Sequence, residues 1–306
     1  MRIAIMGSGG VGGYLGARLA ASGQDVTFVA RGAHLAAIQE HGVALRSALG
    51  DVLIRPAKAS DDPAAVGPVD AVIFAVKLYD TESAAAATRP LIGQQTGVAT
   101  LQNGVDSTDT LARVLGPAHV IGGVAHIASV IAEPGVIRHT GTMANFVFGE
   151  LNGERSERVE ALAHALQAAR VEHRVSADIR RDIWDKMVFL ATFAGVTALM
   201  RLPIGPIRED AETRAMLRAG LDEAYAVARA KGIGLPDDFV ERTLARCDGL
   251  PDEMKSSMLQ DLERGRRLEL PWLSGTIARL GQELRVPTPI HAFITTALKL
   301  HAEGQR

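Results

Sequence analysis

Over the first 150 residues, short apolar runs rich in β-branched residues alternate with Ala-rich segments whose apolar positions recur at helical spacing. The runs are "RIAIM" (2–6), "DVTFVA" (25–30), "DAVIFAV" (70–76) and "GVATL" (97–101). This rhythm predicts parallel strands joined by crossover helices, a doubly wound α/β sheet. Between 43 and 58, "VALRSALGDVLIRPAK" alternates around a Gly-Asp turn signal and predicts a small hairpin inserted in the sheet. Runs at 118–149 ("HVIGGVAHIAS", "GVIRHTG", "NFVFGE") extend the sheet with antiparallel or mixed pairing. A helix (153–169) and a short strand "VEHRVS" (171–176) close the unit. Beyond Ser176 helical periodicity takes over, punctuated by "LPIGP", "KGIGLPDD", "DGLPDE" and "VPTP". The expected organisation is an α/β domain over 1–177 and an all-helical domain over 178–306.

Composition narrows the function. A chain of 306 residues with 47% hydrophobic content can bury a sizeable core. The net charge is −2, and no like-charged block could track a phosphate backbone, so no nucleic-acid partner is expected. The single cysteine, Cys247, offers neither an internal disulfide nor a thiolate cluster. No metal is expected, and a reducing, cytoplasmic compartment is. The N-terminal apolar run is too short for a signal-peptide core. The longest apolar stretch, Met187 to Met200, falls short of the roughly 20 residues a span needs and reads as a buried helix rather than a membrane segment.

Chemistry enters at the first turn. Gly7, Ser8, Gly9, Gly10, Val11 and Gly12 follow a strand and open a helix, with glycines in G-x-G-x-x-G spacing. Gly7 permits the tight turn, Gly9 lets a pyrophosphate approach the backbone, and Gly12 lets helix pack on strand; the phosphates sit on the helix N-terminus. NAD enzymes usually place an acid at the end of the second strand, but here Arg31 follows it and no acid comes before Glu40. A guanidinium suits a 2′-phosphate, so NADPH is the expected cofactor. Lys77 and Asn103-Gly104 fall after the third and fourth runs, at strand ends where such sheets bind ligands.

In the helical half, "IWDKMVFLATFAG" (183–195) sets Lys186 at the head of an apolar stretch. Residues four apart share a helix face, so Lys186, Leu190 and Ala194 form one stripe. Facing a pocket, Lys186 would be a partly desolvated ammonium able to protonate a carbonyl oxygen. Alternatively it snorkels to solvent or pairs with Asp185 or Asp182. "DEMKSSMLQDLERGRRLELPWLSGTIARLG" (252–281) reads as a helix stopped by Gly265, a linker holding Glu269, and a second helix from about Pro271.

"GSGGVG", Arg31, "AVK" (75–77), "QNG" (102–104), "WDKM" (184–187), "SSMLQD" (256–261) and Glu269 occur in an order that resembles the ketopantoate reductases (2-dehydropantoate 2-reductases) over nearly the full length. The resemblance implies a Rossmann-type domain followed by a helical one, the 6-phosphogluconate-dehydrogenase-like arrangement. It implies NADPH-dependent reduction of a 2-oxo acid, typically 2-dehydropantoate to pantoate, by a monomer or homodimer. It also implies that Lys186 is the general acid, that Asn103 positions nicotinamide and substrate, that Glu269 and Ser257 contact substrate or orient the lysine, and that Arg31 and Lys77 hold the ribose-phosphate.

The substrate half departs from the family pattern. Leu190, Ala194 and Met254 stand where members carry asparagines, Ile204 where a polar contact is common, and Leu268 and Pro271 beside Glu269 where Thr and Asp are usual. A site lined by Leu and Ala cannot demand a substrate hydroxyl as an asparagine does. The departures point to a bulkier or less polar 2-oxo acid. A 3-hydroxy-acid or opine dehydrogenase, and a non-catalytic NADPH sensor, are the other readings.

Overall fold

In the computed structural model, which describes residues 1–305, two compact units form: Met1–Gln102 with Asp106–Asp182, and Asn103–Val105 with the chain from Ile183 onward. The first unit runs β1 (Arg2–Met6), α1 (Gly10–Ala21), β2 (Asp25–Val29), α2 (Gly32–His41), β3 (Val43–Arg46), β4 (Val52–Ile54), β5 (Lys58–Ser60), α3 (Pro63–Val66), β6 (Val69–Phe74), α4 (Thr81–Thr88), β7 (Ile92–Thr100), α5 (Ser107–Leu115), β8 (Val120–Glu133), β9 (Val136–Glu150), α6 (Glu157–Ala168) and β10 (Glu172–Val175). The strand order is β4-β3-β9-β8-β7-β6-β1-β2-β5, with β10 against β9. β1 is parallel to β2 and β6, β7 continues that pattern, and β8 and β9 form an antiparallel hairpin.

Alternation along β1 shows why the sheet is covered on both sides. Ile3 and Ile5 join a core with Tyr14 and Leu15 of α1 and Val159 and Leu162 of α6, while Ala4 and Met6 join another with Ala84 of α4 and Leu111 of α5. With both faces buried, the strand reads as continuously apolar.

Two local expectations are corrected. The hairpin is β3 with β4 alone; Lys58 opens β5, parallel to β2 at the sheet edge, and three residues are too few to display a period of two. The three runs over 118–149 form two strands of 14 and 15 residues. Register shifts between Ile127 and Ser129 and between Ile131 and Glu133 interrupt their alternation.

The second unit is helical: α7 (Ile179–Met200), which begins inside the first unit, then α8 (Ile204–Glu209), α9 (Ala211–Ala230), α10 (Phe239–Asp248), α11 (Ser257–Glu263), α12 (Ser274–Leu284) and α13 (Pro289–Leu298). By length and composition α7 could cross a membrane, but Met187, Val188, Ala191 and Val196 are buried with Leu217, Leu221, Ile277 and Ile294 in the helical core. Gly220 lets α9 approach α7, since a Cβ there would lie 2.8 Å from Thr192 Cγ2. Helix α11 begins at Ser257 rather than near 252. The preceding segment is tied to α8 instead, Ile204 N donating to Met254 O (3.0 Å) and Gly205 N to Asp252 O (2.9 Å). Ser256 then caps α11, its Oγ accepting from Leu259 N at 3.0 Å.

Candidate active site

Gly7 closes the β1–α1 turn with φ of +95°, and a Cβ there would lie 2.8 Å from Val76 N, so both conformation and space demand glycine. Gly12 carries the helix against the turn: a Cβ would lie 2.2 Å from Gly7 O. Gly9, the N-cap of α1, differs in kind, because a Cβ there would meet nothing within 4 Å. It borders open space beside the backbone N–H groups with which a helix begins. Ser8 is buried, its Oγ donating to Val29 O at 3.0 Å.

Arg31 is exposed and precedes α2 as its N-cap residue; Lys77 is exposed just beyond β6. Both follow strands that flank β1, so the glycine turn and two cations share the carboxyl edge of three adjacent strands. Open space at Gly9, a helix N-terminus and paired cations suit an anionic dinucleotide.

A second group lies in the helical unit. Lys186 Nζ donates to Asn103 Oδ1 at 2.9 Å, and Asn103 Nδ2 donates to Glu269 Oε2 at 3.2 Å. Glu269 is buried, Lys186 and Asn103 partly so. Burial pulls the Lys186 pKa from its ordinary 10.5 down to about 8, and the negative charge of Glu269 opposes the fall. The amide thus joins an acid and a base, fixing the ammonium's direction while the carboxylate favours its charged state. Such an ammonium can protonate an oxygen that gains charge during a reaction.

Asn103 reaches this group because of its neighbours. Gln102, buried at the end of β7, donates from Nε2 to Val76 O (3.0 Å) and Thr81 Oγ1 (2.8 Å), and Gly104 adopts φ of +77°. The signal for Gln102 in the sequence is a polar residue directly after an apolar strand.

The positions expected to meet substrate are treated unequally. Leu190 and Met254 are partly exposed, whereas Ala194 is fully buried in the helical core. Ser257 is exposed at the first position of α11. Its neighbour Ser256 is the buried one, paired with Thr197 Oγ1 at 2.7 Å.

Residues 3–153 match the family described as ketopantoate reductase PanE/ApbA, and residues 178–302 match its C-terminal counterpart. The chain belongs to the ketopantoate reductase family. It is similar to a 2-dehydropantoate 2-reductase of Mesorhizobium japonicum, 37% identical over 99% of this chain and 98% of that one. It is also similar to an uncharacterized oxidoreductase, YkpB, of Bacillus subtilis, 32% identical over 98% and 99% of the two. Among solved structures, the PanE/ApbA family ketopantoate reductase of Ralstonia eutropha aligns with a TM-score of 0.91 at 35% identity, covering 99% of this chain and 98% of that one. As a member of the ketopantoate reductase family, the protein is an oxidoreductase of 2-oxo acids that binds a nicotinamide dinucleotide.

Proposed function

We propose that this enzyme reduces a 2-oxo acid with NADPH, that Lys186 gives the proton to the carbonyl oxygen, and that the preferred substrate has a larger or less polar side chain than ketopantoate. The observation that carries the reading is the hydrogen-bonded set of Lys186, Asn103 and Glu269. When bound, the reduced nicotinamide supplies the hydride that adds to the carbonyl carbon. The carbonyl oxygen then gains negative charge, and Lys186 Nζ transfers a proton to it, giving the 2-hydroxy acid. Glu269 favours the charged ammonium beforehand, and Asn103 holds the amine in one orientation. Gly7 through Gly12 cradle the diphosphate; Arg31, with Lys77, meets the phosphate on the adenosine ribose and so favours NADPH over NADH.

The side-chain preference is supported by Leu190, one turn beyond Lys186, and by Met254 in the segment before Ser257, both apolar and partly exposed. Neither can satisfy a substrate hydroxyl, so removing that hydroxyl costs nothing there and apolar bulk is favoured. Ketopantoate itself is the second reading, favoured by the 37% identity to a 2-dehydropantoate 2-reductase over nearly the full length. Steady-state assays with NADPH decide between them. Branched and aromatic 2-oxo acids should exceed ketopantoate in kcat/KM by about tenfold or more; ketopantoate giving the highest value would overturn the preference for apolar substrates.

A further inference from the structure

His34 lies on α2, three residues after Arg31, and both of its ring nitrogens are engaged. Gly135 N, at the β8–β9 turn, donates to His34 Nδ1 at 3.0 Å, and His34 Nε2 lies 2.8 Å from Ser8 O. A backbone N–H can only donate, so Nδ1 must be the unprotonated nitrogen. The proton therefore resides on Nε2, which donates to the Ser8 carbonyl. Burial lowers the pKa of His34 against the opposing pull of that carbonyl, which keeps the ring in this neutral form.

The Ser8 carbonyl belongs to the Ser8–Gly9 peptide, whose plane also contains the Gly9 N–H, pointing the opposite way. A hydrogen bond that draws the carbonyl toward His34 therefore turns the Gly9 N–H away from it. Gly9 begins the helix, and Gly13 N donates to Gly9 O at 2.7 Å. The ring thus bears on how the Gly9 N–H, at the N-cap of α1, is presented. Were this peptide to flip, a carbonyl oxygen would replace the N–H and meet the phosphates with like partial charge.

We propose that His34 is a positioning residue for the dinucleotide: locked in its Nε2–H tautomer by Gly135, it holds the Ser8–Gly9 peptide in the orientation that receives the diphosphate. The β8–β9 turn is thereby coupled to cofactor affinity without touching the cofactor. This rests on the reading that the glycine turn binds NADPH. Gly10 packs at the same place, since a Cβ there would lie 2.0 Å from Ser129 O, so the hairpin abuts the turn at a second point.

The test compares His34→Leu, which retains bulk but no polar atoms, with His34→Gln, whose amide offers one donor and one acceptor. NADPH binding, measured by titration of nicotinamide fluorescence, should weaken by about tenfold or more in His34→Leu, because a Ser8–Gly9 peptide no longer held by the ring must be ordered when the diphosphate binds. KM for NADPH should rise with it, while kcat at saturating NADPH stays within about threefold; His34→Gln should recover most of the affinity. Wild-type affinity in His34→Leu, or equal weakening in both variants, would overturn the proposal. Should His34→Leu fail to fold, ¹⁵N NMR of the wild-type imidazole decides at pH 7. The Nε2–H tautomer is required, and an Nδ1–H tautomer or an imidazolium refutes it. A wild-type protein that does not bind NADPH would sink the cofactor reading instead, so the two failures are separable.

Discussion

An ammonium whose pKa lies near 8 changes charge within the range where a reductase is ordinarily assayed. As a proton donor Lys186 must be charged, so kcat/KM for the 2-oxo acid at saturating NADPH should be flat below about pH 8 and fall about tenfold per unit above it. The reverse reaction needs the neutral amine and should rise through the same interval. Glu269 opposes the lowering of this pKa, so Glu269→Gln, which can still accept from Asn103, should move the break to lower pH. A break at unchanged pH in that variant would separate the carboxylate from the lysine. Lys186→Ala should lose about 10²–10⁴ in kcat with NADPH affinity nearly intact. Arg31→Ala addresses the other unit: NADPH affinity should fall by about tenfold while NADH affinity changes little, and competition titrations with the two cofactors would show it.

Within the β1–α1 turn, adjacent glycines answer to different demands. Gly10 abuts backbone, where a Cβ would lie 2.0 Å from Ser129 O, so Gly10→Ala should cost about 1–3 kcal/mol of stability, read as a lower denaturation midpoint. Gly9→Ala introduces no clash in the free protein and has an ordinary φ of −74°, so its midpoint should hold while NADPH binding weakens. Equal loss of stability in both would mean that Gly9 is structural too. This turn was legible in the sequence because its chemistry is local: strand, glycines and helix lie within 20 residues. Lys186 stands out in the sequence as a charge at the head of an apolar stretch, but its grouping with Asn103 and Glu269 comes only through resemblance. Asn103 is 83 positions from Lys186 and 166 from Glu269, and no periodicity carries information over such separations. His34 lay beyond reach for a related reason, since its partner Gly135 is 101 residues away. The hairpin β8–β9 was resolved into runs rather than strands because its bulges break the alternation by which strands are read.

Covalent connection makes the two units interdependent. The chain passes between them after Gln102, after Val105 and after Asp182, and the last passage lies inside the continuous helix α7. Asn103, whose amide joins Lys186 to Glu269, is bonded to Gln102, whose own amide ties β7 to the chain after β6. Melting the sheet would release Gln102 and with it the backbone that delivers Asn103; melting the helical unit would unwind α7 from its second turn onward. Cooperative unfolding is therefore expected, and the tryptophans provide the means to see it. Both of them, Trp184 and Trp272, belong to the helical unit, so their emission reports on that unit alone. NADPH at about one hundred times its Kd should stabilise the form that binds it by about 2.7 kcal/mol. If the units unfold together, the tryptophan transition moves to higher temperature although the residues proposed to grip the diphosphate and ribose belong to the other unit. A far-ultraviolet circular dichroism transition that rises with NADPH while the tryptophan transition stays in place would show instead that the helical unit melts on its own.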